Sequence, residues 1–343
     1  MAKVDLKKLE ELVSQGYLTA QKHPEADLWV FNYTAKTQYE RFWTPDTIMS
    51  RGLVVNGSGE IAARPFEKFF NLEEREEALP DEPFEVYEKM DGSLGILYWV
   101  RDGPRIATRG SFISKQAVRG TEILKSKYPQ VSLDKRYTYL FEIIYPENRV
   151  VVDYGGVEDL VLLAVKETET GNEEKLNSLD LPFPRVKKNI WSGELAGLVD
   201  GPDENKEGFV IRFETGLRLK IKFSEYVRLH RLVTGVTSKV IWEHLKFGLG
   251  VEEILDRVPD EFYSWVKMTK NELSTGYGEI EAETRRIIED ARTLGSRKEQ
   301  AELIRSRSKN PGIAFAMLDR KDYGRLIWDL IRPVATKPLV EEI

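Results

Sequence analysis

The sequence predicts an α+β protein, with an antiparallel-rich part over residues 1–224 followed by an all-helical part over 225–343. Up to about residue 224, short apolar runs alternate with turn signals such as Asn56-Gly57, Asp91-Gly92, Asp102-Gly103 and Thr215-Gly216. These are the marks of hairpins. After Phe223 the apolar residues recur every three to four positions instead, which is the period of a helix. A length of 343 residues suits two such parts.

In order, MAKVDLKKLEELV is a charged amphipathic stretch. RGLVVN (51–56) and GEIAARPF (59–66) read as a hairpin. EVYEKM, LGILYWV and PRIATRG are short strands, and Ser114 is placed to cap a helix reaching about Lys127, with Val118, Ile123 and Leu124 as its apolar side. TYLFEIIY (138–145) and DLVLLAVKE (159–167) read as buried strands, and EGFVIRF and LRLKIKF as a closing hairpin. Then Tyr226, Leu229, Val233, Val236, Val240, Ile241 and Leu245 predict one helix stopped by Gly248. GEIEAETRRIIEDARTLG (278–295) predicts a second, with Gly295 as its C-cap. Ser296 to Glu299 has the form of a capping box opening a third. Asn310-Pro311-Gly312 breaks the chain before a last helix carrying Phe315, Leu318, Leu326, Ile327 and Leu330.

Composition removes whole classes of function. With no cysteine, disulfides, thiolate zinc sites and cysteine nucleophiles are excluded. The three histidines, His23, His230 and His244, do not pair at a ligand-like spacing. No window is apolar enough to span a membrane and the amino terminus is not a signal peptide, so a cytoplasmic protein is expected. The lack of cysteine, with abundant Glu, Lys and Arg, suits a thermophilic source. A net charge of −6 argues against coating nucleic acid by bulk attraction. It leaves room for local basic clusters at Arg185, Lys187 and Lys188, at Arg285 and Arg286, and at Arg305, Arg307 and Lys309.

The chemistry lies in an ordered set. Lys89-Met90-Asp91-Gly92 ends one strand, Glu142 stands in a second, Glu207 precedes a third, and Lys220 and Lys222 alternate on a fourth. Residues two apart on a strand share a face, so both closing lysines can aim at one phosphate, with Arg218 in the same register. A lysine amine can attack the α-phosphate of a nucleoside triphosphate while cations stabilise the phosphoryl oxygens. Carboxylates set among apolar residues need partners, such as a ribose hydroxyl, magnesium-bound water or the lysines themselves.

These motifs resemble the covalent nucleotidyltransferase superfamily of polynucleotide ligases and capping enzymes, and within it the phage-type RNA ligase 1 (tRNA-repair) group. Lys89–Gly92 matches the nucleotidyl-lysine motif, FEIIYPENRVVVDY (141–154) the third motif, EGFVIRF the fourth and LRLKIKF the fifth. SRGLVV with Arg51 and ARPFEKFFNLEE with Arg64 and Lys68 are similar to segments distinctive of that group. DNA ligases and capping enzymes usually have arginine two places after the glycine and a β-barrel after motif five. Here Leu94 stands at that place, and the chain turns helical.

The resemblance implies an adenylylation domain and an ATP-dependent RNA ligase. It would join a 5′-phosphate to a 3′-hydroxyl through lysyl-AMP on Lys89 and an adenylylated RNA end, with nicked tRNA a candidate substrate. Arg51, Lys68, Lys220 and Lys222 would contact phosphates, Glu142 the ribose, and Glu207 the catalytic metal, Mg2+ or Mn2+, with Glu142 as a further ligand. Asp91 would orient the lysine or the RNA end, and Gly92 would keep the backbone close to the nucleotide. Glu88 and Arg109 would complete the nucleotide contacts, although Arg109 stands where the group often has lysine. A capping-type guanylyltransferase, a DNA ligase and a non-catalytic RNA-binding protein on the same fold are the alternatives.

Overall fold

The computed structural model describes residues 2–336 apart from 76, 192–194, 199–204, 225, 228–234, 256–257 and 259–261. Leu229, His230 and Val233 therefore lie outside the described residues. The chain divides into two compact units, Met1–Val233 and Thr234–Ile343. Tyr226, beyond residue 224, is buried and donates its hydroxyl to Asp91 of the first unit.

The first unit opens with α1 (Leu6–Ser14), capped by the Asp5 carboxylate. There follow β1 (Leu18–Lys22), β2 (Leu28–Tyr33), α2 (Ala35–Tyr39), α3 (Pro45–Met49), β3 (Arg51–Asn56) and β4 (Ile61–Ala63). These strands form an antiparallel sheet in the order β1-β2-β3-β4. Next come β5 (Phe70–Asn71), β6 (Phe84–Lys89), β7 (Ser93–Val100), β8 (Gly103–Ala107), α4 (Lys115–Lys127), β9 (Tyr137–Ile144) and β10 (Asp159–Glu167). Then β11 (Lys188–Asn189), β12 (Gly208–Phe213) and β13 (Arg218–Lys222) complete the unit's strands. A second sheet runs β10-β9-β7-β8 and a third β11-β6-β12-β13-β5. Among the described strand pairs only β13–β5 is parallel, apart from an isolated parallel bridge between Leu162 and Arg185.

The alternating pattern of the sequence now has its reason. Leu28, Val30 and Val54 of the first sheet share a core with Ile96, Tyr98 and Leu140 of the second. Ile123 and Leu124 of α4 cover the second sheet's other face, while Leu9 and Leu12 of α1 cover the first sheet's. Each such aliphatic side chain, fully buried, contributes roughly 1.5–3 kcal/mol. Gly120 lets α4 lie close, since a Cβ there would sit 3.1 Å from both Ile106 and Ile143 side chains. The buried line of α4 is Ala117, Gly120, Ile123 and Leu124. Val118 lies a quarter-turn off it and is 47% exposed, against the expectation that it belongs to the apolar side.

The second unit is helical in its described residues, over Ser238–Lys246, Glu252–Leu255, Tyr263–Arg292, Arg297–Arg307, Pro311–Leu318 and Gly324–Leu330. Ile287, Ile288, Ala291, Ile304, Ala314 and Met317 make one core. Three boundaries differ from expectation. Residues 235–237 are not helical, because Thr237 caps the helix that follows by accepting from Val240 N. The helix expected from 278 begins at Tyr263 and carries Gly276 and Gly278 within it, and its C-cap is Thr293 rather than Gly295. The last helix is two, separated at Arg320, whose φ is 56°. No described helix is long and apolar enough to cross a membrane.

Candidate active site

The third sheet is the platform. Its central strand β12 places Gly208 opposite Lys89 of β6 on one side and Lys222 of β13 on the other. Directly opposed residues of neighbouring strands share a face, so Lys89 and Lys222 look out from one row with no side chain between them. Tyr87, Val210 and Lys220 form the next row, and Glu85, Arg212 and Arg218 the third. Gly208 has a φ of +150°, and a Cβ there would lie 1.9 Å from Ile221 O. Only glycine fits this position. The opposite face is apolar, built on Val86, Ile211, Leu219 and Ile221.

Lys89 Nζ pairs with Glu207 Oε2 at 2.6 Å, with side-chain exposures of 22% and 6%. The lysine is reachable while its partner is sealed in. Glu142 enters from β9 and accepts a hydrogen bond from Gly92 N (3.0 Å). Burial is the main cause that pushes Glu142 up to about 7, with repulsion from Glu207 adding to it. Lys89, Arg51 and the Gly92 N–H only partly offset this. Burial also lifts Glu207 above the usual carboxylate range, against the pull of Lys89 and Lys222 and with repulsion from Asp91. A divalent cation beside two such carboxylates would relieve that repulsion, and carboxylate oxygen is the donor that Mg2+ and Mn2+ prefer. Among the described residues no group of three His, Cys, Asp or Glu side chains is arranged to hold a metal. A cation here would thus be held by Glu142 and Glu207 with oxygens of the substrate or water, as suits Mg2+.

Asp91 faces inward and is 4% exposed. Its Oδ2 accepts from Val151 N and Val152 N, both at 2.8 Å, and its Oδ1 from the Tyr226 hydroxyl at 2.9 Å. Its own N–H donates to Tyr154 Oη at 2.7 Å. Asp91 thus clamps the 150–152 segment and the chain beyond β13 onto the lysine turn. Gly92 makes its close approach to β9: a Cβ would lie 2.7 Å from Ile144 Cδ1 and 2.8 Å from Ile143 O. Asn148 of the PENR segment donates to Ile143 O (3.0 Å) and bonds Ser93 Oγ, tying the turn to the ends of β7 and β9.

Arg51 is close enough to Glu142 for their charges to interact. Arg51 stacks over Phe69 at 5.3 Å, bonds the Tyr33 side chain and leaves Nη1 buried with no hydrogen-bond partner. An orphaned buried donor is costly, by about 1–3 kcal/mol, and an anion would satisfy it. Arg109 is exposed and close enough to Arg51 for their charges to interact. Lys68 is buried among rings. Three residues stand apart. Glu88 lies one residue from Lys89 on β6, so its side chain takes the opposite face. Arg64 donates to Thr168 O and Glu169 O (2.9 and 3.0 Å) and anchors that loop. Arg218, in register with the lysines, is drawn to Glu173. Tyr33, Trp43, Tyr154 and Tyr226 are the site's neighbours that sequence reasoning missed, since an aromatic in an apolar run reads as core.

The antiparallel sheets carry a lysine turn, two buried carboxylates and a closing lysine pair. A family model described as RNA ligase matches residues 49–227, and the chain belongs to that family. The chain is 28% identical over 316 residues to a Thermovibrio ammonificans protein given the provisional name of an RNA ligase, covering 81% of this chain and 82% of that one. It is 24% identical over 362 residues to the RNA ligase of Rhodothermus phage RM378, covering 79% and 80%. An archaeal ATP-dependent RNA ligase structure aligns over 94% of this chain and 78% of its own, at 16% identity and a TM-score of 0.48.

Proposed function

We propose that this protein is an ATP-dependent RNA ligase that seals a 5′-phosphate to a 3′-hydroxyl through AMP carried on Lys89. The supporting observation is the single row Lys89–Gly208–Lys222 with Glu207 on the Lys89 ammonium. An ammonium has no lone pair, so the proton must leave before attack. Glu207 Oε2, 2.6 Å away, would take it, and burial makes Glu207 a stronger base than an ordinary carboxylate. The Lys89 nitrogen then bonds the α-phosphorus as the bond to pyrophosphate breaks. Lys222, in the same row, and Lys220, in the next, offset charge on the phosphoryl oxygens. A divalent cation held by Glu142 and Glu207 would supply further charge neutralisation.

In the second step a 5′-phosphate oxygen of RNA attacks the AMP phosphorus, and Lys89 leaves and recovers its proton. In the third, the 3′-hydroxyl attacks the RNA 5′-phosphorus and AMP departs. A nicked tRNA is the candidate substrate, with the helical unit as the part that recognises it. The test is label transfer from α-labelled ATP to the protein, read on a denaturing gel. Lys89→Ala should abolish transfer and leave folding intact, because Lys89 is partly exposed at a strand end. A variant that still becomes covalently labelled sinks the assignment. ATP should label better than GTP, and equal labelling would favour a capping-type enzyme.

A further inference from the structure

We propose that Asn205 is a positioning residue that sets Glu207 against the Lys89 ammonium by pairing with the main chain of Asp153. The inference rests on the ligase reading above and deepens it, since it assigns the aim of the proposed proton acceptor to a side chain that precedes the fourth motif. Glu207 lies one residue outside the strand ladder, because the pairing of β12 with both neighbours begins at Gly208. On the β13 side its backbone is tied by Phe223 N, which donates to Glu207 O (3.0 Å). On the other side, two residues earlier, Asn205 Oδ1 accepts from Asp153 N and Asn205 Nδ2 donates to Asp153 O, both at 2.8 Å. One side-chain amide thus copies the two-bond exchange of an antiparallel strand pair. Its orientation follows, since a flipped amide would set N–H against N–H and oxygen against oxygen.

Asp153 is a firm partner. Its Oδ2 pairs with Arg149 (2.8 Å) and its Oδ1 accepts from Gly155 N (2.9 Å), while Arg149 Nε donates to Val151 O (3.2 Å). The same short stretch grips the lysine turn, through Val151 N and Val152 N on Asp91 Oδ2 and through Tyr154 Oη, which accepts from Asp91 N. The contacts close a ring. It runs from Lys89 through Asp91, Val152, Asp153, Asn205 and Glu207 back to Lys89 Nζ at 2.6 Å. Asn205 and Asp153 are both exposed, so theirs is the link at which the ring opens without disturbing a core. A carboxylate serves as a base only at hydrogen-bond distance from the proton it takes. A displacement of about 1 Å costs up to about a hundred-fold in rate.

The test is made on the full chain. Adenylylation is followed by rapid mixing over a range of ATP concentrations at saturating Mg2+, and sealing of pre-adenylylated RNA is measured separately. Asn205→Ala should lower the maximal rate of adenylylation about ten-fold, while the ATP concentration for half-maximal rate stays within about two-fold. Sealing should also stay within about two-fold, because no proton leaves Lys89 in that step. A loss carried by ATP affinity, or an equal loss in sealing, would overturn the proposal in favour of a general loosening of the loop. An unchanged rate would overturn it outright. Asp153→Ala keeps the main-chain partners of Asn205 and should cost less than Asn205→Ala, and the reverse order counts against the pair. If Asn205→Ala does not fold, Asn205→Asp keeps the shape but turns an oxygen towards Asp153 O. It should show the same loss of maximal rate, and a normal rate would refute the role. Absence of label transfer in the unaltered protein sinks the ligase reading itself. Normal transfer there, with a normal rate in Asn205→Ala, sinks only the positioning role.

Discussion

Glu142 is the residue at which stability and function pull in opposite directions. Its pKa rises from 4.5 to about 7, mainly through burial. Between those values the folded protein keeps a proton that the unfolded chain has already lost. The stabilisation from that proton is complete below about pH 4.5 and disappears as pH rises through about 7. Glu142→Gln, which can still accept from Gly92 N, should therefore raise the melting temperature of the ligand-free protein at pH 8. The gain should shrink towards pH 5. A melting offset that is the same at both pH values would contradict the assignment. The same substitution should nearly abolish adenylylation, because the carboxylate that costs stability is the one proposed to hold ribose and metal.

At the scale of elements, the hairpin β12–β13 sets the spacing of the site. Lys220→Ala and Lys222→Ala should each lower adenylylation by orders of magnitude, since each removes a cation proposed to act on the phosphate. Near-normal covalent intermediate in both would make the hairpin a structural element only. Two of its glycines should respond differently. Gly216 has a φ of +88° with nothing within 4 Å of an added methyl, so Gly216→Ala should cost only about 1 kcal/mol of strain. Gly208→Ala adds a collision with Ile221 O to its strain and should cost at least about 3 kcal/mol in urea unfolding.

Much of this was legible. Strands around the lysine turn, the Ser114 cap and the Ser296–Glu299 box lie where turn and cap chemistry put them. What was hidden depends on distant contacts. The helix from Tyr263 runs through two glycines that locally argue against it, held by burial of Val266 and Leu273 on one side and Ile287 and Ile288 on the other. Asp91 reads as an exposed turn residue until Val151, Val152 and Tyr226 arrive from 60 to 135 positions away.

The whole molecule offers a division to test. A chain cut after Val233 keeps Tyr226 on Asp91, whereas a cut at Ser224 removes it. The longer piece should stay soluble and adenylylate itself, and the shorter should lose much of that activity. If the helical unit recognises folded RNA, the longer piece should seal a broken tRNA stem-loop far less well, relative to an unstructured end, than the full chain does. Undiminished preference for the stem-loop would remove recognition from the helical unit.

The parallel pairing of β5 with β13 joins Phe70 to Leu219, 149 positions along the chain. Such a contact closes a long loop and belongs to the slow part of folding. On a ribosome adding about 5–20 residues per second, the segment with Lys68 waits roughly 7–30 s for its partner strand. The segment with Lys68 and the closing hairpin cannot come together before then. A nascent ligase is thus unable to trap ATP until its first unit is complete, and in refolding experiments nucleotide binding should return only with the last phase.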